Sequence, residues 1–233
     1  MVPGVVTSTF SDAERAAVYR AIAERRDVRH GFLPETLAGD VLTRLLTAAH
    51  QSPSVGLMQP TRFVVVRERS VRQAIHAAFV QANAAALLTY GEARREQYAG
   101  LKLEGLLEAP QHLCLLCDTD SSRGHNLGRQ TMPETALYST VCAVQNLWLA
   151  ARAEGVGVGW VSILDPVSLR AILGVPDNII PVAYLCLGYV DRFAMEPDLE
   201  RFGWETRLAL ETVVSEDRYE DHLMKPVEVG GSS

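Results

Sequence analysis

The sequence predicts an α+β domain in which long helices flank a mixed sheet. Three observations favour this class: much of the chain has the pattern of amphipathic or buried helices, about five short segments have the composition of strands, and no repeat or linker interrupts them. The 233 residues, 48% of them hydrophobic, are sufficient for one large core. We therefore expect a single domain over residues 1–220.

The first half of the chain predicts four helices and one strand. Ser11 and Glu14 have the spacing of a capping box, which starts the first helix. The fourth helix is polar and belongs to an insertion over about residues 88–110, which is either a lid, a dimer-wrapping arm or a plain surface helix. The predicted helices cover 11–25, 33–52, 70–88 and 92–107, and the strand covers 63–66.

The second half predicts the remaining strands around one long helix. This helix, from Pro133 to Glu154, is apolar nearly all round, which is typical of a helix buried in a core or an interface. The glycines at 155, 157 and 159 lead into a strand rather than a helix, which disfavours a Rossmann nucleotide site. We expect the backbone there to approach a flat ligand or a neighbouring helix. The other predicted elements are strands over 113–117, 181–190 and 208–214 and a helix over 166–173.

The overall charge and the chain ends limit the classes of function. A net charge of −6 with a pI of about 5.5 argues against a nucleic-acid surface, which requires a basic face. The first ten residues have no basic stretch followed by an apolar one, and no apolar run has the length of a membrane span. We expect a cytoplasmic protein without membrane or nucleic-acid partners, and a disordered tail over residues 221–233.

The cysteines and histidines do not predict a metal site. Cys114 and Cys117 have the spacing of a metal or redox pair, but they lie in an apolar strand, where residues three apart face opposite sides. We interpret the cysteines as core residues in a reducing compartment. The histidines have no ligand spacing. The residues considered are Cys114, Cys117, Cys142, Cys186, His30, His50, His76, His112, His125 and His222.

A cluster of three arginines directly follows the first helix. Arg25, Arg26 and Arg29 surround Asp27, and a guanidinium binds phosphate well because it donates two parallel hydrogen bonds. Asp27 keeps its charge beside these cations, and a phosphate that occupies the arginines leaves it free to move a proton on the ligand. The alternative is a solvated helix end, where the helix dipole favours arginine.

Three motifs, in this order, resemble the nitroreductase family of flavoproteins. They are the arginine cluster at 25–29, the Ser-Pro-Ser loop at 52–54 followed by Gln59 and Pro60, and the glycine-rich turn at 157–160. The resemblance extends from about residue 24 to 204. It implies a three-layer α+β domain with a mixed, mostly antiparallel sheet, in an intertwined homodimer that binds FMN at its interface.

The resemblance also implies roles for individual residues at an FMN site. The three arginines, with Val28 between them, hold the phosphate and the ribityl chain, and Arg201 closes on the phosphate. The loop after Ser52 reaches the flavin of the partner subunit, where Gly56 leaves room over the ring, and Gly159 lies along the isoalloxazine. The implied FMN-binding residues are Arg25, Arg26, Asp27, Val28, Arg29, Pro53, Ser54, Gly56, Gln59, Gly159, Ser162 and Arg201.

The motifs at 25–29, 157–164 and 197–201 further resemble one branch of that family. Its members use O2 to fragment reduced FMN into erythrose 4-phosphate and a benzimidazole, the lower ligand of vitamin B12. Ordinary nitroreductases commonly have serine where Asp27 stands. The resemblance thus implies that FMNH2 is a substrate supplied by a separate flavin reductase, that Asp27 shuttles protons, and that Ser162 positions the reacting groups.

Other interpretations of the same residues stay open. Ser162 is alternatively a strand-end hydroxyl that is bonded to the backbone. The whole chain is alternatively an NAD(P)H-dependent FMN nitro- or quinone reductase, or a flavin-binding module without turnover. The reductase would oxidise nicotinamide with quinones and leave FMN intact, whereas the module would bind FMN tightly and reoxidise it slowly.

Overall fold

A computed structural model describes residues 9–219 of the chain. The predicted disordered tail and His222 lie outside this range, as do the first eight residues. The chain divides into two compact units between Met195 and Glu196. The single domain over 1–220 therefore stays a prediction, and each unit is described by itself.

The first unit contains six helices and four strands within the described range. Helix α1 begins with the predicted capping box, because Ser11 Oγ accepts the Glu14 N–H at 3.3 Å and Glu14 Oε2 accepts the Ser11 N–H at 2.8 Å. The helices are α1 (Asp12–Glu24), α2 (Gly39–His50), α3 (Arg69–Leu88), α4 (Glu92–Ala99), α5 (Thr135–Ala153) and α6 (Pro166–Leu173). The strands are β1 (Thr61–Val66), β2 (Gln111–Asp118), β3 (Val156–Val161) and β4 (Ile179–Tyr189).

The four strands form one sheet in the order β1-β2-β4-β3, and every strand pair is antiparallel. The predicted, mostly antiparallel sheet is confirmed, since β1 and β4 each run opposite to the strands beside them. Parallel pairing is confined to an isolated bridge between Asp27 and Val158. Strands β1 and β3 form the two edges of the sheet.

Helices cover both faces of the sheet, which confirms the three-layer α+β fold. Helices α2 and α5 contribute Leu45 and Leu147 to the core on one face, and α3 and α6 contribute Ile75 and Leu169 on the other. These side chains are fully or almost fully buried. Burial of alternate strand residues on both faces is the source of the fold's stability.

The two strand cysteines lie on opposite faces, as predicted. Cys114 packs in the core beside Ile75, whereas Cys117 packs against Met58 and Ala136 on the other side. Both thiols are free, and burial raises the pKa of Cys114 to about 12. They are core residues and not a metal or redox pair. No group of three metal-ligating side chains occurs among residues 9–219.

Three predicted elements are wrong in extent or kind. Helix α2 begins at Gly39 rather than Leu33, because the Leu33 N–H donates to Tyr189 O at 2.8 Å and continues the sheet edge. Helix α4 ends at Ala99 rather than 107, since Gly100 terminates it and side-chain contacts fold the residues that follow. The strand predicted over 208–214 is a short 3₁₀ turn with exposed apolar side chains.

The second unit is small and contains helix α7 (Asp198–Arg201) and this turn. Arg201 pairs with Asp198 Oδ1 at 2.7 Å, and its guanidinium lies 4.7 Å from the centre of the Phe202 ring. Across the described part of the chain, no helix combines the length and the hydropathy that a membrane span requires.

Candidate active site

The arginine cluster lies along the outer edge of β3. The Val28 N–H donates to Val158 O at 2.9 Å, and the Trp160 N–H donates to Asp27 Oδ1 at 3.0 Å. Because the other edge of β3 pairs with β4, the segment 25–29 covers an otherwise open strand edge. The backbone of β3 therefore fixes both the segment and its one carboxylate.

The glycines of β3 permit this close approach. A Cβ atom on Gly159 would lie 2.1 Å from Val28 O, and one on Gly157 would lie 2.5 Å from a methyl carbon of Val190. These distances are shorter than any van der Waals contact, so a side chain at 159 displaces the backbone of the arginine cluster. The predicted close backbone approach is confirmed, but the neighbour is segment 25–29 rather than a helix.

Both oxygens of Asp27 accept hydrogen bonds from fixed donors. Besides the bond from Trp160, Oδ2 accepts from Arg29 Nη2 at 2.6 Å. The Arg29 side chain is 13% exposed and that of Asp27 is 29% exposed. Charge-assisted hydrogen bonds of this kind are short and fix the orientation of the carboxylate. Asp27 is thus a positioned anion with one side open to a ligand.

The three arginines have different partners. Arg25 stacks over the Trp148 ring at 4.8 Å, and the Trp148 indole N–H donates to Arg26 O at 3.1 Å. The Arg26 guanidinium donates to the carbonyls of Ala23 and Arg25 at 2.8 Å and to that of Met195. The arginine cluster is thus built into the end of α1 and is not simply solvated.

Two buried donors in this cluster lack a partner within residues 9–219. They are the Nε atoms of Arg26 and Arg29. A buried guanidinium N–H without an acceptor is costly, so such an atom is a place where an anionic ligand fits. The arginines thus have the chemistry to bind a phosphate, as the resemblance implied.

Ser162 lies directly after β3 and is exposed. Its hydroxyl makes no hydrogen bond to any residue in the described range, so the geometry does not support the alternative of a hydroxyl bonded to the backbone. Ser162 also lines a small pocket of about 170 Å³ together with Trp160 and Tyr184. The hydroxyl is available to a ligand on the same strand that holds Asp27.

The second predicted half of the site is the loop over residues 52–60. Ser54 Oγ accepts the Gln59 N–H at 3.1 Å, and the Val55 N–H donates to Ser139 Oγ on α5 at 3.0 Å. Gly56 has a φ of +53°, and a Cβ atom there would lie 2.9 Å from Leu127 O. The structure therefore requires glycine at 56 for the packing of this loop against residues 124–127, a reason that the sequence did not indicate.

A single chain holds the two predicted halves at opposite edges of the sheet. The loop over 52–60, which includes Pro53, leads into β1, whereas the arginine cluster lies on the outer edge of β3. Three strand spacings separate these edges, a distance of about 14 Å. Arg201 belongs to the second unit. Within the first unit, one chain thus brings the cluster at 25–29, Gly159 and Ser162 together along β3.

Sequence reasoning missed the groups that hold the cluster in place. The backbone N–H of Trp160 binds Asp27, and backbone donors have no sequence signature. Trp148 belongs to the apolar pattern of α5, and nothing in that pattern indicated its hydrogen bond to Arg26 O. The Lys102 carbonyl, which accepts from Arg29 Nη1 at 3.4 Å, lies in a segment that was predicted to be helical.

The fold and this site define an α+β protein with an arginine cluster at a sheet edge. The family model of the nitroreductase family matches residues 22–189, and the chain belongs to that family. Among curated relatives, the 5,6-dimethylbenzimidazole synthase of Rhodospirillum rubrum is 50% identical over 183 residues, which cover 78% of this chain and 86% of the relative. The protein of the same name from Rhodobacter capsulatus is 40% identical over 202 residues, which cover 87% and 97%.

Solved structures show the same fold at low sequence identity. Oxidised iodotyrosine deiodinase bound to FMN and 3-iodo-L-tyrosine has a TM-score of 0.68 and 19% identity, and the match covers 87% of this chain and 100% of that one. NADPH:FMN oxidoreductase from Vibrio harveyi, complexed with NAD+, has a TM-score of 0.63 and 17% identity over 88% and 78%. These similarities concern the fold alone.

Proposed function

We propose that this protein uses O2 to fragment reduced FMN into 5,6-dimethylbenzimidazole, the lower ligand of vitamin B12, and erythrose 4-phosphate. The observation that carries the proposal is the Asp27 carboxylate, which two donors fix inside an arginine cluster. The names of the relatives at 50% and 40% identity support the same reaction. The reduced flavin, when bound, supplies both the electrons for O2 and the carbon skeleton of the benzimidazole.

The protein groups around the arginine cluster suit a flavin phosphate. The phosphate is dianionic, and the buried Nε atoms of Arg26 and Arg29 lack an acceptor among the residues described. Arg25, Arg26 and Arg29 would hold the phosphate and the ribityl chain, with Arg201 as a further phosphate ligand. The glycine backbone at 159 would pass close to the ring. The overall charge of −6 makes this local cluster necessary for binding an anion.

Asp27 would act as the base in the ribityl cleavage. Breaking the C1′–C2′ bond in a retro-aldol manner requires removal of the proton from the 2′-hydroxyl, and a positioned carboxylate can accept it. The bond from Trp160 and the bond from Arg29 hold the carboxylate in one orientation. Ser162, whose hydroxyl makes no bond to a described residue, would hydrogen-bond near flavin N5 or the ribityl chain and position the reacting groups.

A homodimer would complete the site. The two implied halves lie at opposite edges of the sheet of one chain, so a second copy would place Ser54, Gly56 and Gln59 beside the arginine cluster. Helix α1 has no buried residue in the single chain, and Tyr138 and Val141 leave an apolar stripe of α5 exposed. Apolar surface of this kind on two neighbouring helices is typical of a protein–protein interface. A separate flavin reductase would supply the reduced FMN, because the sequence shows no nicotinamide-binding motif.

The first experiment is to reduce FMN anaerobically with the protein, admit air, and identify the products by mass spectrometry. We expect dimethylbenzimidazole to form while FMN disappears. Quantitative return of intact FMN would contradict the proposed reaction and favour a reductase or a flavin-binding module. A nicotinamide–quinone assay would then separate those two classes.

The variant Asp27→Asn tests the assignment of the base. Asparagine keeps an oxygen for the Trp160 N–H, but its amide N–H replaces the oxygen that accepts from Arg29, so we expect FMN still to bind, with an affinity within about tenfold of the wild type. Benzimidazole formation should fall by roughly 10²–10⁴, the usual contribution of a general base. Asp40→Asn is the matched control, because Asp40 is exposed and forms an ion pair with Arg44 within the same helix. Product formation at the wild-type rate in Asp27→Asn would show that the base is another group.

A further inference from the structure

The segment after α4 is a loop over residues 101–109 that is folded by its own charges. Lys102 Nζ lies 2.9 Å from Glu104 Oε1 and 3.0 Å from Glu108 Oε1. The second oxygen of Glu104 accepts the Leu106 N–H at 2.5 Å. These side-chain contacts close the loop on itself, and a single backbone turn, with the Ala109 N–H donating to Gly105 O at 2.9 Å, completes it.

Glu104 is the buried member of this group, with 9% of its surface exposed. A carboxylate at this depth is stable only when charged partners and N–H donors satisfy it. Burial acts to lower the pKa of Lys102, but the hydrogen bonds from Glu104 and Glu108 outweigh it and the pKa of Lys102 is raised. The ion pair between Lys102 and Glu104 is therefore an integral part of the loop.

The 101–109 loop contacts Arg29 at two places. The Lys102 carbonyl accepts from Arg29 Nη1 at 3.4 Å. Gly105 packs so closely that an added Cβ would lie 2.7 Å from the Phe32 ring and 3.5 Å from Arg29 O. The buried side chains of Leu106 and Ala109 anchor the same loop in the core. The loop thus accepts a hydrogen bond from the Arg29 guanidinium and also packs close to the Arg29 backbone carbonyl.

The same guanidinium holds Asp27. Nη2 donates to Asp27 Oδ2 at 2.6 Å while Nη1 faces the Lys102 carbonyl, and the two nitrogens belong to one rigid plane. If the Lys102 carbonyl moves away, the Arg29 guanidinium can rotate, and this rotation also displaces the nitrogen that donates to Asp27. We infer that Glu104 is a positioning residue, which sets the orientation of Arg29 and, through it, of Asp27, by holding Lys102 in place. The consequence for fragmentation rests on the proposed function, whereas the consequence for Arg29 does not.

A double-mutant cycle on FMN affinity tests the link between Glu104 and Arg29. Glu104→Gln keeps the side-chain volume and an acceptor for Leu106 but removes the charge that pairs with Lys102. We expect it to weaken binding of oxidised FMN about fivefold in the wild-type background, and by less than about 1.5-fold in an Arg29→Lys background. Equal effects in both backgrounds, or no effect in either, would overturn the inference. This readout does not require that the protein fragment FMN.

The fraction of reduced FMN that becomes benzimidazole, rather than returning intact, tests the second step to Asp27. We expect Glu104→Gln to lower this fraction at least about fivefold at saturating FMN, because a merely structural loss would reduce the amount of folded protein and leave the ratio unchanged. An unchanged ratio would overturn the step to Asp27. Absence of product in the wild type would overturn the proposed function instead, and would leave the binding cycle valid.

Two further variants keep the test decisive. Glu108→Gln is the matched control, because Glu108 pairs with the same Lys102 but its side chain is 41% exposed and holds no backbone N–H in the loop. We expect FMN affinity and product ratio within about 1.5-fold of the wild type, since exposed ion pairs contribute little. Lys102→Met removes the pair from its other end and should reproduce Glu104→Gln. Wild-type behaviour of Lys102→Met, or an equal effect of Glu108→Gln, would contradict the inference.

Discussion

Substitution of Gly159 tests the claim that the backbone of β3 fixes the arginine cluster. In Gly159→Ala the new Cβ would lie 2.1 Å from Val28 O, 3.3 Å from the Val28 carbonyl carbon and 3.7 Å from Asp27 Oδ1. Ordinary carbon–oxygen contacts are about 3.3 Å, so the segment must move by roughly 1 Å or more. The obstructing atom belongs to the backbone and cannot rotate away as a side chain does.

The cost follows from the bonds that this movement breaks. It strains the bond from Val28 to Val158 and the charge-assisted bond from Trp160 to Asp27. Together with the overpacking, we expect a loss of about 2–4 kcal/mol in the free energy of unfolding. That corresponds to a fall of roughly 5–15 °C in Tm for a chain of this size. FMN affinity should fall at least about tenfold, because the arginines move with the segment.

Thermal unfolding and FMN titration, followed by flavin fluorescence, measure both effects. Gly157→Ala is the matched control on the same strand, because its Cβ would meet the ends of the Val190 and Val28 side chains, which can shift. We expect it to cost less stability and to leave FMN affinity within about threefold. A Gly159→Ala protein with the Tm and the FMN affinity of the wild type would refute the close approach on which the site depends.

Three other predictions concern the pH dependence, the oligomeric state and the support of the cluster. Burial, aided by the nearby charge of Arg72, lowers the pKa of His112 to about 4 in the folded protein, whereas the unfolded chain takes up a proton near pH 6.5. The free energy of unfolding, measured in urea, should therefore fall by about 3 kcal/mol between pH 6.5 and pH 4 in the wild type relative to His112→Gln. Val141→Glu should give a monomer in light scattering and lose FMN binding, whereas Val167→Glu, at a more exposed valine on α6, should stay dimeric. Trp148→Phe should lower the free energy of unfolding by about 1–2 kcal/mol, because the Arg26 carbonyl loses the indole N–H that donates to it. An unchanged free energy of unfolding would show that this hydrogen bond contributes little.

The elements that local sequence predicts well are those with a strong local cause. The capping box at Ser11 begins α1, and Pro166 begins α6 directly after its N-cap Asp165. The period of two residues in a strand predicted that Cys114 and Cys117, three positions apart in β2, face different cores. In each case neighbouring residues along the chain contain the whole physical reason.

The elements that sequence missed depend on residues far away in the chain. The pattern of 92–107 is helical, but the chain leaves the helix at Gly100 and packs against Arg29, 73 residues before Lys102, and against Phe32. The apolar run at 208–214 has the composition of a strand, yet the described part of the second unit contains no partner strand and the run forms a turn. Whether such a run becomes a strand depends on a partner strand, which a local pattern does not reveal.

The sequence by itself determined the α+β class, the arginine cluster with its one acid, and the placement of Cys114 and Cys117 on opposite faces of a strand, because local periodicity and residue chemistry suffice for these. The nitroreductase likeness came from the resemblance of its motifs. Only the tertiary structure decided how Asp27 is held, because its donors come from Arg29 two residues away and from the backbone of Trp160, 133 residues further along the chain. It also decided why Gly159 and Gly56 are glycines, since their neighbours Val28 and Leu127 approach only after folding. Close approach between distant backbones is a property of packing, and no single segment of the chain contains it.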